Sequence, residues 1–391
     1  MEKLVRPYRL MYIFRLPEKY FWGLTIEDQA LPTDTDRDYM LLALSLAERG
    51  RGTTSPNPMV GAVIVRDGAI VGQGYHVRAG GDHAEVIALR EAGVRAEGAT
   101  LYVTMEPCCH HGKTPPCSEA VIRSGIVRVV AAMTDPNPKV CGGGFASLRR
   151  NNIEFEVGLL EDRARKLNEA YIKYIRTGLP YLTLKLAMTL DGKIAALDGS
   201  SKWITGPEAR KRVHLLRSWS DAVMVGSGTV LADNPRLTVR DAEGRDPLRV
   251  IPDSRLRTPL DAHVFDDARA LVVATAADRA KAEELRRRGI EVWEMDGNGA
   301  GIPLPDMLAG LGGRQVTSIL CEGGGTLAGS LLREKLVDKL HLFIAPKILG
   351  AGKDAFGNIG IRVIGDAIPL RDREMEMIGD DLLVTGYPEY P

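Results

Sequence analysis

Cysteine is scarce. Five residues in 391 are too few to build a disulfide framework in a chain of this length, and a reducing cytoplasm is the expected setting. Neither sign of charge is in excess: 51 basic residues face 51 acidic ones. That argues against nucleic acid or a membrane surface recruited by bulk charge, and leaves room for a small anion held by a few arginines. No apolar run reaches the roughly 18 residues of a membrane-spanning helix. The opening segment MEKLVRPYRLMYIFRLPEKYFWGL is basic and aromatic, but Glu2, Pro7, Pro17 and Glu18 interrupt it. No small-residue cleavage site follows, so it is not read as a signal peptide. Internal repeats, low-complexity tracts and a GxGxxG fingerprint are all missing. What remains is an ordinary globular composition, 45% hydrophobic and 26% charged, in a chain too long for one typical core.

Two domains are expected, after an N-terminal extension over 1–35. In the first, 36–178, DRDYMLLALSLAERGRG places Met40, Leu41, Ala43, Leu44 and Ala47 at helical spacing. Asp36 suits an N-cap and Gly50 a stop. A hairpin turning at Asp67-Gly68 follows. Then come the helix AEVIALREAG, the strand TLYVTM, a Cys/His loop, the helix SEAVIRSG, the strands VRVVAAM and IEFEVG, and one long helix from about Leu160 to Arg176. Thr177-Gly178-Leu179-Pro180 marks the boundary. The second domain, 179–391, repeats the alternation of strands and helices and ends in a β hairpin. Both halves therefore read as layered α/β structure.

The stretch PCCHHGKTPPC, 107–117, concentrates the chemistry. Upstream stands His83-Ala84-Glu85. Hydrolysis of an aminopyrimidine by zinc needs three protein ligands, one open position, and a carboxylate that moves protons without binding metal. His-x-Glu followed by Pro-Cys and a second Cys is the zinc deaminase signature. Here Cys108 and Cys117 stand nine residues apart, where that signature has three. Cys109 adjoins Cys108 too closely for both to converge on one ion. Cys117 opens a helix, where thiolate is favoured. One zinc per chain on His83, Cys108 and Cys117 is expected, with Glu85 as proton shuttle and His110, His111 and Lys113 free to face substrate. The alternative is a closed structural site using Cys109, His110 or His111 as a fourth ligand. Such a site has no use for His-x-Glu.

The strings TSPNPMVGAVIV, GQGYH, HAE and EPCCHHGKTPPC resemble the deaminase half of the bifunctional deaminase/reductases of riboflavin biosynthesis, over about Asp36 to Arg176. In that family a long loop separates the two cysteines. The resemblance implies a cytidine-deaminase-like three-layer α/β/α domain. It also implies that Asn57, His76, His110 and Lys113 contact the aminopyrimidine or its ribose phosphate, for which amide, imidazole and ammonium groups are apt. By itself, Asn57 in Ser-Pro-Asn-Pro fits a turn residue equally well.

In the second half, CEGGGTLAGS follows a strand and opens a helix, an arrangement suited to an anion or simply to tight packing. With LKLAMTLDGKIA, SKWIT, VGSGTVLADNPRLTVR and PDSR it forms an ordered series. This series resembles the reductase half of the same family, from about Pro180 onward. The resemblance implies a dihydrofolate-reductase-like α/β fold that uses NADPH. Implied cofactor contacts are Ala187, Trp203, Thr229, Asp233, Ser254 and the run Gly324, Gly325, Thr326, Leu327, Ala328, Gly329 and Ser330. Implied substrate contacts are Ser201, Arg217, Leu237, Arg240 and Glu322. Arg255 beside Ser254 is added on chemistry, as a cation for a 2′-phosphate. Lys185, Asp233 and Glu322 are the strong proton-handling groups of these motifs, and Lys185 joins the substrate set. Arg217 and Arg240 suit a ribose phosphate through bidentate bonds, although alone they read as solvated charges. Trp203 alone reads as core packing, and a strand could turn Lys185 away from the site.

The expected function is a cytoplasmic, homo-oligomeric enzyme acting on phosphoribosylaminopyrimidines, first removing an amino group with zinc and then reducing ribosyl to ribityl with NADPH. The rivals are an enzyme with one working half, a zinc-stabilised nucleotide-binding module, and a nucleic-acid deaminase. The balanced charge and the second domain count against the last.

Overall fold

Alternation of facing residues along each strand organises the N-terminal half. The protein was described from a computed structural model covering residues 36–109, 116–138, 140–297 and 301–391. Helix α1 (Asp36–Glu48) leads into the hairpin β1 (Gly61–Arg66) and β2 (Ala69–Tyr75), then α2 (Ala84–Ala92), β3 (Thr100–Val103), α3 (Cys117–Arg123), β4 (Arg128–Ala131), α4 (Gly143–Arg150), β5 (Glu154–Val157), α5 (Glu161–Leu167) and α6 (Glu169–Thr177). The sheet runs β2-β1-β3-β4-β5, with β1 antiparallel to both neighbours and β3, β4 and β5 parallel. Ala62, Ile64, Leu101, Val103, Val129 and Ala131 face α2, α3 and α4. Val63, Val65, Tyr102 and Val130 face α1, α5 and Tyr171 of α6. Two buried faces make three layers.

Two local expectations are corrected, and one helix is new. Asp36 does not act as a simple cap: its carboxylate accepts from Tyr102 Oη at 2.5 Å and from Arg128 at 2.7 and 3.2 Å. The helix expected over 160–176 is two helices, broken at Asn168. That side chain bonds Met59 instead, accepting from its N–H (2.8 Å) and donating to its carbonyl (2.9 Å). Helix α4, which opens at Gly143 after the N-cap Gly142, is not among the expected elements. Its glycines are poor helix formers, but the Glu106 carboxylate, 29 or more residues upstream, accepts from the N–H groups of Asp135, Gly142, Gly144 and Phe145. A Cβ on Gly144 would lie 2.1 Å from Pro107 O, so that close capping requires glycine.

The C-terminal half continues with β6 (Tyr181–Thr189), β7 (Lys193–Ala196), α7 (Pro207–Trp219), β8 (Ala222–Met224), α8 (Ser227–Asp233), β9 (Leu248–Pro252), β10 (Ala270–Ala274), α9 (Arg279–Arg287), β11 (Glu291–Glu294), α10 (Leu304–Gly313), β12 (Ser318–Cys321), α11 (Gly325–Arg333), β13 (Lys339–Ala345), β14 (Gly352–Asp354), β15 (Leu370–Ile378) and β16 (Asp381–Pro388). Nine strands form one sheet, β11-β10-β9-β8-β12-β6-β13-β16-β15, parallel up to β13 and antiparallel in the terminal hairpin. Leu182, Leu184, Met224 and Ile319 bury one face under α10 and α11. Leu320, Phe343 and Leu383 pack on α7 from the other. The carboxyl ends of β6, β8 and β12 thus meet at one edge, the usual place for a ligand crevice in an open α/β sheet. The two halves meet through ion pairs, among them Lys173–Asp338 at 2.6 Å and Lys339–Glu169 at 2.7 Å.

Candidate active sites

The first site depends on how closely α2 can approach the hairpin. Cβ atoms on Gly72 and Gly74 would lie 2.2 and 2.6 Å from the carbonyls of Ala88 and Ala84, and the helix offers Ala84, Ala88 and Ala92 in return. This contact sets the start of α2, where His83 is the N-cap and Glu85 lies in the first turn. Cys108 follows β3 and Cys117 opens α3. His83 Nδ1 lies 3.1 Å from Cys117 Sγ and 3.6 Å from Cys108 Sγ. The three donor atoms all fall within 4.8 Å of one another. The Cys117 N–H donates to Cys108 Sγ at 3.3 Å. Hydrogen bonding with Cys117, with His83 adding to it, holds the Cys108 thiol below the ordinary range of a free cysteine.

Glu85 is 3% exposed, and among the described residues its Oε2 has no hydrogen-bond partner. Burial, and next the charge of Cys108, push this carboxyl up to about 7. An orphaned oxygen beside two sulfurs and an imidazole fits a catalytic zinc site, which takes three protein ligands and keeps one position for water. Cys109 turns elsewhere: its Sγ faces Val140 O at 3.8 Å, and a Cβ on Gly143 would meet it at 2.6 Å.

A cavity of about 450 Å³ opens beside the cluster, lined by Asn57, His76, His83, Glu85 and Cys108 among others. His76 Nδ1 lies 3.0 Å from Asp82 O and its Nε2 lies 3.1 Å from Asn57 Nδ2. Burial lowers the imidazole's pKa. A neutral ring donating from Nδ1 and accepting at Nε2 satisfies both contacts and orients the Asn57 amide. The expected contacts His110 and Lys113 lie outside the described residues, as do His111 and the extension 1–35. Sequence reasoning missed Glu106, Asp135, Tyr171 and Gln315, which also line this cavity. Only Glu106, inside the Glu-Pro-Cys motif, carried a sequence signal.

The second site is a cavity of about 570 Å³ at the sheet edge. Lys185, Ala187, Ser201, Trp203, Arg217, Thr229, Asp233, Leu237, Arg240, Glu322 and Gly324 all line it. Lys185 faces inward, its Nζ 3.8 Å from Glu322 Oε2. Arg217 grips Glu322 with two bonds, at 2.6 and 3.0 Å. Burial opposes the charge on Glu322, but Arg217 and then Lys185 outweigh it and hold the carboxyl at about 2. Arg240, by contrast, is exposed and donates to Thr238 Oγ1 at 2.9 Å. Trp203 is 65% exposed and stacks under Arg210 rather than entering the core. His214 also lines the cavity. It shares a helical face with Arg210 and Arg217, a spacing that could have revealed it.

A smaller adjoining cavity of about 250 Å³ is lined by Gly228, Thr229, Asp233 and the turn Gly324, Gly325, Thr326 and Leu327. The glycines serve packing as well as access: Cβ atoms on Gly325 and Gly329 would lie 2.6 Å from Asp354 O and 3.2 Å from Gly357. Ala328 and Gly329 are buried, Ser330 Oγ accepts from Arg333, and none of these three lines either cavity. Ser254 and Arg255 line neither cavity, and Arg255 is exposed. Arg257, which also lines neither cavity, donates to Ser227 Oγ at 2.6 Å at the start of α8.

A half-buried His/Cys/Cys cluster in an α/β/α layer, fused to a sheet-edge cavity with a glycine turn, defines the class: a zinc deaminase joined to a nucleotide-dependent reductase. The cytidine and deoxycytidylate deaminase zinc-binding region matches residues 33–133, and the RibD C-terminal domain matches residues 180–384. The chain belongs to the RibD family of riboflavin biosynthesis proteins. It is 48% identical over 353 residues to the RibD of Aquifex aeolicus, spanning 90% of this chain and 98% of that protein. Its fold matches the RibD structure of Acinetobacter baumannii with a TM-score of 0.83 at 39% identity, over 90% and 99% of the two chains. It also matches the diaminohydroxyphosphoribosylaminopyrimidine deaminase/5-amino-6-(5-phosphoribosylamino)uracil reductase of Thermotoga maritima, with a TM-score of 0.81 at 38% identity over the same shares. Among the described residues no helix is long and apolar enough to cross a membrane.

Proposed function

We propose that residues 36–178 hydrolytically deaminate 2,5-diamino-6-(5-phosphoribosylamino)pyrimidin-4-one. Residues 179–391 then reduce the ribosyl side chain of the resulting 5-amino-6-(5-phosphoribosylamino)uracil to ribityl with NADPH, in the cytoplasm. The observation that carries the reading is the unpartnered, buried Glu85 oxygen beside His83, Cys108 and Cys117. Those three residues would hold one zinc, which when bound supplies a Lewis acid that makes water acidic near neutral pH. Glu85 takes a proton from water and passes it to the leaving amino group, so that C–NH₂ becomes C=O and ammonia departs. Asn57, oriented by neutral His76, holds the pyrimidine edge.

At the second site Glu322, kept ionised by Arg217 and Lys185, accepts hydrogen bonds from the sugar hydroxyls. With the Arg217 fork committed to Glu322, the exposed Arg240 is available for the ribose phosphate. The glycine turn at α11 suits the pyrophosphate shared by both nicotinamide cofactors, and Ser254, Arg255 and Arg257 supply the hydroxyl and charge for the 2′-phosphate. The described cysteines are all free, in keeping with a reducing compartment.

The test is to supply the pyrimidine with zinc and NADPH and to follow ammonia and NADPH absorbance together. Ammonia release is expected first, then NADPH oxidation. Bound zinc without ammonia release would point instead to a binding module and overturn the reading.

A further inference from the structure

The loop that carries Asn57 is fastened to the opposite half of the molecule. Ser55 Oγ donates to Asp221 Oδ2 at 2.7 Å and lies 3.1 Å from Thr317 Oγ1. Asp221 sits between α7 and β8. The same Oδ2 accepts from Thr317 N–H at 2.9 Å, Thr317 Oγ1 at 2.7 Å and Ser318 N–H at 3.2 Å, while Oδ1 accepts from Arg245. Burial opposes its charge, and the hydrogen bonds from Thr317, Ser55 and Arg245 outweigh that and keep the carboxyl below its ordinary range. Just upstream, a Cβ on Gly52 would lie 2.5 Å from Ser218 O, and Arg51 stacks over Trp219 at 5.0 Å. Two residues beyond Ser55, Asn57 N–H donates to Thr54 O at 2.8 Å and its amide meets His76. Gln315, also from the C-terminal half, lines the first site's cavity with a left-handed backbone, φ 63°.

Asp221 already ties β12 to the base of β8 through Thr317 and Ser318. The bond from Ser55 adds nothing to that tie; it crosses to the first site. We propose that Asp221 is a positioning residue for deamination, acting through Ser55 to set where Asn57 presents its amide to the pyrimidine. The reductase half is thereby part of the deaminase site. This rests on the reading of the first site as a deaminase. A displacement of about 1 Å in a substrate-holding group can cost up to about a hundredfold in rate, and one bond to a charged acceptor is worth roughly tenfold or more.

The test uses the full-length, zinc-loaded protein and the variants Ser55→Ala, Ser55→Thr, Asp221→Asn and Ser55→Ala/Asp221→Asn. Deaminase kcat and KM, reduction of pre-deaminated substrate, zinc content and melting temperature are measured for each. Ser55→Ala is expected to lower deaminase kcat/KM by about tenfold, with zinc content unchanged and reductase kcat/KM within about twofold of the parent. Ser55→Thr, which keeps the hydroxyl, restores deamination. The double variant loses no more than the worse single, because both cut one link. Should Asp221→Asn fail to fold, the Ser55 pair decides. Deamination by Ser55→Ala at the parent rate overturns the proposal. So does a parallel loss of deaminase, reductase and melting temperature, which is the mark of a purely structural contact. A parent that binds zinc and reduces pre-deaminated substrate but releases no ammonia removes the deaminase reading, and the proposal with it. An active parent with an unaffected Ser55→Ala removes the proposal alone.

Discussion

The two cavities are built on opposite plans. The first draws its cluster from His83, Cys108 and Cys117, close together in sequence, at the starts of α2 and α3 and in the loop after β3, with α2 pressed against Gly72 and Gly74. The second draws on β6, the segment before α7, α7 itself, α8, the loop after it and the end of β12. The first leaves one buried oxygen without a partner, and the second spends its buried charges on one another. A site that must accept a metal and water keeps unmet hydrogen-bonding capacity, whereas a site that must hold a sugar and a hydride donor has to be preorganised.

The sharpest way to break this contrast is Glu85→Gln. Deamination should fall on the order of a hundredfold to ten-thousandfold, with zinc retained and reduction of pre-deaminated substrate intact. Ammonia release and metal analysis check it, and a variant that loses zinc would make Glu85 a ligand. At the second site, Arg217→Ala leaves the Glu322 carboxylate with Lys185, at 3.8 Å, as its remaining cation. Losing one partner of such a pair destabilises the fold by up to roughly 3–5 kcal/mol, less where Lys185 stays in place, so the melting temperature should fall and reductase kcat/KM with it. Arg217→Lys should not rescue it, because an ammonium cannot make the two-pronged contact. Steady-state NADPH oxidation decides this, with ammonia release from the first site expected to persist.

Smaller effects refine the cofactor end. Arg257→Ala should weaken NADPH by about tenfold to a hundredfold and leave NADH almost unchanged, since only the 2′-phosphate distinguishes them. Comparison with Ser254→Ala/Arg255→Ala shows which arginine meets that group, and equal losses with both cofactors would remove it from this loop. The smallest effect is expected at Cys109→Ser, which should keep its zinc while Cys108→Ser and Cys117→Ser lose it. Metal content of the three proteins settles the ligand set.

Helical and strand periodicity set out the layered α/β order of both halves, and His-x-Glu with Pro-Cys pointed to the first site before any coordinates. Both signals are local: a period of 3.6 or 2, and a few residues whose chemistry has few other uses. The break at Asn168 and the start of α4 were not legible. Asn168 bonds Met59, and Glu106 caps a helix that opens with two glycines, across 36 or more residues of chain. Trp203 fitted core packing as well as a cofactor contact in the sequence, and only the sheet edge decides that it stands exposed at the cavity.

The sequence by itself determined the residue types, the first cluster's members and the two-part order, because metal ligands and glycine turns are constrained by chemistry at short range. Tertiary structure alone decided which charges neutralise one another. Lys185, Arg217 and Glu322 lie on three different elements, and their ionisation depends on burial and on distances of 2.6 to 3.8 Å. It also decided that Ser55 and Asp221, 166 residues apart, share one hydrogen bond. Such pairing is set by the packing of two domains, and no local propensity along the chain encodes it.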